Sequence, residues 1–183
     1  KKKDFAVEAA SVLSDIKSAL GFGGLKSIRI INRYDAEGLS KEDFELATPV
    51  VFSEPAVDVT YDCLPDTDND EKIFAVEYLP GQFDQRADSC AQCISLLTGG
   101  NRPAVKSAKI YIVKGNVSES DLAQIKHYII NPVESREASL DTFDTLDIKY
   151  DIPTTVDTID GFIYSTDDDL QIMLGDLGLA MDF

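Results

Sequence analysis

An internally duplicated α+β fold, its helices burying apolar stripes against a common sheet, is what this sequence predicts. Three observations carry that expectation. Apolar residues recur at helical spacing in segments that open on a capping residue and close on glycine or before proline. Short β-branched runs lie between those segments and read as strands. The order of these elements then recurs down the chain, at a gap-free offset of 80 from Asp4 through "LKSIRI" and, after a shorter loop, in the helix and stretch that follow.

Asp4 is placed to cap a first helix in which Phe5, Ala9, Val12, Ile16 and Leu20 share a face, and Gly21 ends it. "LKSIRIINRY" (Leu25–Tyr34) is expected to be a strand with Ile28 and Ile30 on one side. Ser40, with Asp43 three residues on, opens a second helix that stops before Pro49. "VVFSEPAVDVTY" reads as extended, with Pro55 at an edge or break. Further on, "KIFAVEY" (Lys72–Tyr78) is a strand. Asp84 caps a helix carrying Ala87, Cys90, Ala91, Ile94 and Leu97 inward, and Gly99 and Gly100 close it. "VKSAKIYIV" (Val105–Val113) is again a strand, and Ser118 with Asp121 opens a helix whose apolar face is Leu122, Ile125 and Ile129.

Asp4 thus maps onto Asp84, "LKSIRI" onto "VKSAKI", "SKEDF" onto "SESDL" and "VVFSEPAV" onto "IINPVES". The expected organisation is a first unit over 1–65, an acidic linker over 66–71, a second unit over 72–149 and an extension over 150–183. The extension carries a candidate strand, "GFIYS", and a helix capped by Thr166. The first unit lacks a counterpart of "KIFAVEY". An open sheet edge is normally covered, so that strand is expected ahead of Lys1, and "AMDF" reads as a cut inside a longer protein.

Composition narrows the function. The chain has 183 residues, 44% of them hydrophobic, enough for a real core. Its 33 acids against 17 bases give a net charge of −16, which argues against a phosphate-tracking, nucleic-acid-binding surface. No apolar run reaches the roughly 18 residues of a membrane-spanning helix. Three cysteines, Cys63, Cys90 and Cys93, do not make a disulfide scaffold, so a reducing cytoplasm is the expected location.

Several constellations suggest chemistry and fail on geometry. Asp66, Asp68, Asp70 and Glu77 fall at positions 1, 3, 5 and 12 of a calcium loop, but Glu71 stands where the turn needs glycine and a strand follows. A zinc site built on Cys90 and Cys93 would have only Cys63 and His127 to add, and the pair sits too deep in its helix for a redox motif. Both cysteines are expected to be small core residues. His127 lies on a polar helix flank with no triad pattern around it. "LLTGGNRPAVKS" lacks phosphate-loop spacing, and its glycines follow a helix rather than open one. No catalytic residue and no metal ligand is assigned.

The stretch "EYLPGQFDQRADSCAQC" (Glu77–Cys93) remains. Pro80 and Gly81 turn the chain out of a strand, and Gln82, Asp84, Gln85, Arg86, Asp88 and Ser89 then project at a helix start as candidate docking contacts. This text resembles the signature "EYLPGQFDQRADSAAQC" of the large, single-chain phosphoribosylformylglycinamidine synthases. "IRIINRYDAEG" (Ile28–Gly38), "VFSEP" (Val51–Pro55), "LLTGG" (Leu96–Gly100), "NPVESREASL" (Asn131–Leu140) and the closing "GLAMDF" fit the same family, in order and over essentially the whole chain. Cys90 departs from the usual alanine, which weakens any redox reading of the pair.

The resemblance implies a parent ligase of purine biosynthesis, dependent on ATP, magnesium and glutamine, that converts formylglycinamide ribonucleotide to its amidine. It implies that this chain is the N-terminal domain, similar to a fused dimer of the small helper subunit. That domain has two ferredoxin-like halves, an antiparallel sheet with helices packed on one face, and a pseudo-twofold axis. Its implied partners are the synthetase and glutaminase domains of the same polypeptide, between which ammonia passes. The chain itself would hold no cofactor and be inactive alone. The alternative is a free-standing acidic interaction module with the same duplicated fold.

Overall fold

A computed structural model describes residues 1–146 and 158–176 of the chain. The chain divides into two compact units, Lys1–Asp147 and Ile148–Phe183. The first is an α+β unit built on four strands: β1 (Leu25–Glu37), β2 (Glu71–Tyr78), β3 (Ala104–Gly115) and β4 (Ser135–Ala138). Their order is β1-β3-β2-β4, and every neighbouring pair is antiparallel.

β1 and β3 carry apolar residues at both parities because the middle of the sheet is buried on both sides. On one face the pairs Ile28↔Val113, Ile30↔Tyr111, Asn32↔Lys109 and Tyr34↔Ser107 lie in line. Phe74 of β2 stacks on Tyr111, with ring centroids 5.2 Å apart. This face meets the helices α1 (Val7–Leu20), α3 (Gln85–Thr98) and α4 (Glu119–Ile129). The main core joins Ile16, Leu25, Ile28, Phe74, Tyr111, Val113, Leu122 and Ile125, all buried. Each such side chain contributes about 1.5–3 kcal/mol on burial. The opposite face holds a smaller cluster of Ala75, Ala108, Ile110, Ile112 and Ala138, packed with Ile31, Ile73 and Leu140.

The helix ends follow local chemistry. Ser118 Oγ accepts from Asp121 N at 3.1 Å while the Asp121 carboxylate accepts from Ser118 N at 2.9 Å, a reciprocal cap on α4. Ser40 Oγ accepts from Asp43 N at the start of α2 (Lys41–Ala47). Gly21 and Gly99 close α1 and α3 with φ of +69° and +67°, left-handed values that cost a residue with a Cβ more than glycine.

The structure corrects several expectations. Asp4 caps nothing: residues Lys3–Phe5 form a 3-10 turn, α1 begins at Val7, and its N-cap residue Ala6 offers no side-chain acceptor. The stretch from Val50 to Tyr61 is not a strand. A π-turn spans Thr48–Phe52, and irregular turns follow it. β4, the strand expected to correspond to this stretch, pairs only with β2. No strand precedes β1 among the described residues, so nothing offers this stretch a ladder. The gap-free offset of 80 also fails in the strands. Ile28 and Ile30 face the helices, whereas Ala108 and Ile110, which that offset matches to them, lie in the cluster on the opposite face. Cys93 is exposed rather than in the core, and Leu97 is 36% exposed. Both lie off the stripe of Ala87, Cys90, Ala91 and Ile94 that α3 buries.

In the second unit, "GFIYS" forms a 3-10 turn at Phe162–Tyr164 rather than a strand. Helix α5 (Asp167–Asp176) follows, with Thr166 and Asp169 bonded reciprocally at its start. The expected boundary at 149/150 and the closing "GLAMDF" lie outside the described residues.

Candidate functional site

The turn from β2 into α3 is held by backbone bonds. Leu79 N donates to Glu134 O at 2.9 Å and Gln82 N to Leu79 O at 3.0 Å. Gly81 sits at φ +89°, where a side chain would strain the backbone. Asp84 then does two jobs. Its Oδ1 accepts from Ala87 N at 2.9 Å as the α3 cap. Its two oxygens also take the backbone N–H and the hydroxyl of Ser107, at 3.0 Å or less. One carboxylate therefore fixes the helix start to strand β3, through hydrogen bonds that favour a charged acceptor.

Arg86 Nη1 donates to Tyr34 Oη at 3.0 Å, bridging α3 to β1. Asp88 pairs with Arg102, which also donates to the Asp88 carbonyl at 3.2 Å. Gln82 Nε2 reaches Val133 O at a long 3.4 Å. Gln85 and Ser89 are exposed and make no side-chain hydrogen bond among the described residues. Phe83, between the turn and the cap, is 70% exposed, unusual for so large an apolar side chain. The six residues singled out from the sequence thus fall into two groups: Asp84, Arg86 and Asp88 bind inward, while Gln82, Gln85 and Ser89 face outward.

Arg86 also borders a cavity of about 650 Å3 whose lining includes Glu8, Ile30, Asn32, Tyr34 and Phe52. Sequence reasoning missed these neighbours, along with Ser107 and Arg102. The signal existed for three of them, because Ile30, Asn32 and Tyr34 alternate along β1 and so share its helix-facing side. Asn32 Oδ1 is buried there without a hydrogen-bond donor. Phe52 packs on Tyr34 and Phe44, with centroids 5.1 and 5.7 Å apart. Glu8 is held by Lys109 at 2.5 Å. Burial pushes the Cys90 thiol above its ordinary pKa, against the opposing pull of Arg86, so the thiol is kept protonated and a poor nucleophile.

The acids of the calcium-like spacing are spread apart. Asp68 and Asp70 approach Lys114 at 2.6 and 3.4 Å, and Glu77 takes Arg136 at 2.8 Å across the β2–β4 pair. Cys63 is exposed, as is His127. Among the described residues no group of three His, Cys, Asp or Glu side chains is placed to hold a metal ion. No described helix is long and apolar enough to cross a membrane. What the turn and α3 present is a rigidly anchored set of hydrogen-bonding groups around one exposed aromatic ring.

Compared with known proteins, the chain matches no family model, no curated protein and no solved structure.

Proposed function

We propose that this chain is the non-catalytic N-terminal domain of a large phosphoribosylformylglycinamidine synthase, and that it holds glutaminase and synthetase domains in register so that ammonia passes between them. The observation that carries the reading is the division of labour in "EYLPGQFDQRADSCAQC". Asp84 and Arg86 lock the turn to β3 and β1, and the locked turn displays Phe83, Gln85 and Ser89 outward. An exposed aromatic flanked by free amide and hydroxyl groups on a rigid support suits protein docking. The ATP, magnesium and glutamine chemistry of such a cytoplasmic ligase would belong to its other domains.

The duplicated, ferredoxin-like reading draws support from the helices, at a corrected offset. Ser118 and Gly99 lie 78 residues after Ser40 and Gly21 and play the same capping roles, and Asp121 stands at the same offset from Asp43. The buried Ala87, Cys90, Ala91 and Ile94 of α3 stand at the same offset from Ala9, Val12, Leu13 and Ile16 of α1, which are buried or packed on the main core. β1 and β3, the strands that follow these helices, are antiparallel neighbours, as a pseudo-twofold axis between two halves would require.

The test is made in the full-length enzyme. Phe83→Glu combined with Ser89→Arg should leave folding intact, because neither side chain is used internally, and should raise glutamine hydrolysed per amidine formed several-fold. An unchanged ratio, with the domains still assembled, would reject docking through this turn. The chain alone should consume neither glutamine nor ATP, and turnover by it would reject the non-catalytic assignment.

A further inference from the structure

β1 has β3 on one edge and, among the described residues, no strand on the other. This free edge is 13 residues long, and such edges invite pairing with another chain unless something covers them. Beside it lies the cavity described above. Ile30, Asn32 and Tyr34 of β1 line it together with residues 49–55, the stretch that reads as extended in sequence yet finds no partner. A vacant edge, a strand-like sequence left coiled beside it and a void lined by both have one simple common explanation. We infer that the free edge of β1 receives a single extended polypeptide strand of the β2 pattern, laid antiparallel against Ile30, Asn32 and Tyr34 and filling the cavity with its inward side chains.

The pattern of that strand follows from what surrounds β2, and this step rests on the duplicated reading above. Helix α3 is preceded by β2, which pairs along seven residues with β3 and in turn carries β4. Helix α1 has the caps and buried stripe of α3 but no such strand before it. β2 is apolar at both parities, with Phe74 and Val76 toward the helices and Ile73 and Ala75 toward the other face. β1 makes the same demand, since Ile28 and Ile30 face the helices and Ile31 faces away. An occupant with one apolar face alone would leave half of that edge uncovered. The inward side of the occupant would also meet Asn32 Oδ1, a buried acceptor that now lacks a donor.

A second copy of the chain fits less well. Antiparallel self-pairing of β1 centred on Ile31 would set Arg29 directly opposite the other copy's Arg33, and like charges facing across a ladder are destabilising. Residues 49–55 would also have to be displaced.

The test uses the whole chain and a capped synthetic peptide copying Glu71–Tyr78, followed by amide hydrogen exchange. Saturating peptide should slow the exposed-edge amides of β1 by about tenfold or more, and should leave β3 unaffected because its ladders are already formed. Substituting lysine for the peptide's phenylalanine should abolish the effect. Joining the same eight residues directly ahead of Lys1, so that Lys1–Ala6 supply the six residues that separate Tyr78 from Gln85, should raise the unfolding midpoint. No slowing at β1 in either format would overturn the inference, as would β1 protection that grows with protein concentration alone and accompanies dimer formation. If an unrelated strand of equal hydropathy bound as well as the β2 copy, the edge would still dock a strand, but the duplicated reading would lose its support.

Discussion

Residues 7–58 and residues 85–138 begin alike and end differently. Each has a helix, a long central strand and a second helix opened by serine with an aspartate three residues on. After α4 the chain turns at Asn131 and forms β4, because β2 is there to receive it. After α2 the corresponding apolar text, "VVFSEP", coils into a π-turn and packs Phe52 on Tyr34 and Phe44. Strand propensity is higher in "VVFSEP" than in the Ser-Arg-Glu-Ala of β4, so the outcome is set by whether a ladder partner exists.

The contrast predicts unequal packing costs. Phe74, 1% exposed and stacked on Tyr111, should cost about 3–5 kcal/mol when changed to alanine. Phe52, half-buried with two ring contacts, should cost nearer 1 kcal/mol. Urea unfolding of Phe74→Ala and Phe52→Ala measures both, and equal losses would show the first region to be as tightly packed as the second. The same ring pair gives a pH signature. Burial pushes the Tyr111 hydroxyl up to about 12 from an ordinary value near 10. A raised pKa on an acid means that stability is complete below the unfolded value and is lost as pH climbs from about 10 toward about 12. Tyr111→Phe should flatten that alkaline limb, which a set of denaturation curves between those pH values would reveal.

Next in size is the comparison of Asp84 with Asp4. The two aspartates match at an offset of 80, yet only Asp84 caps a helix, and it also satisfies Ser107. Asp84→Ala should cost about 2 kcal/mol, from the lost cap and the orphaned Ser107 amide. Asp4→Ala should stay within about 0.5 kcal/mol, as for an ordinary surface change. Thermal unfolding of the pair would break the contrast if the losses were alike.

Asp4 also shows where legibility in the sequence stops. Helix stripes, serine caps and closing glycines are local signals, and they place α2, α3 and α4 and the end of α1, while α1 starts at Val7 rather than after Asp4. β1, β2 and β3 were readable as apolar runs, whereas β4, Ser-Arg-Glu-Ala, was not, and the matched "IINPVES" is mostly the end of α4 and a turn. The order of the strands and the failure of "VVFSEPAVDVTY" were not readable either, because pairing is decided by residues far apart in the chain. The strand match was misread because "LKSIRI" and "VKSAKI" look alike, although an even offset sets the helix-facing Ile28 and Ile30 against Ala108 and Ile110, which face away. At the candidate site, the cap role of Asp84 was visible from its place before an apolar stripe. Its hold on Ser107, 23 residues away, and the reach of Arg86 to Tyr34, 52 residues away, are tertiary facts that no local spacing encodes.

The smallest expected difference lies between the two serine-opened helices. At α4, Asp121 accepts from both the backbone and the hydroxyl of Ser118, and these bonds hold its carboxyl below the usual pKa. At α2, Asp43 accepts only the Ser40 hydroxyl, at 2.8 Å. Removing the carboxylate therefore strips a backbone donor of its partner in one helix and not in the other. Asp121→Ala should lower stability measurably and Asp43→Ala hardly at all. A lowered carboxyl pKa makes its contribution above the unfolded value and loses it as pH falls through the folded one. Acid should accordingly fray the start of α4, and Asp121→Asn should remove that acid dependence. Amide exchange at Ser118 from neutral to mildly acidic pH, in the natural chain and the asparagine variant, separates this reciprocal cap from the simpler one at Ser40.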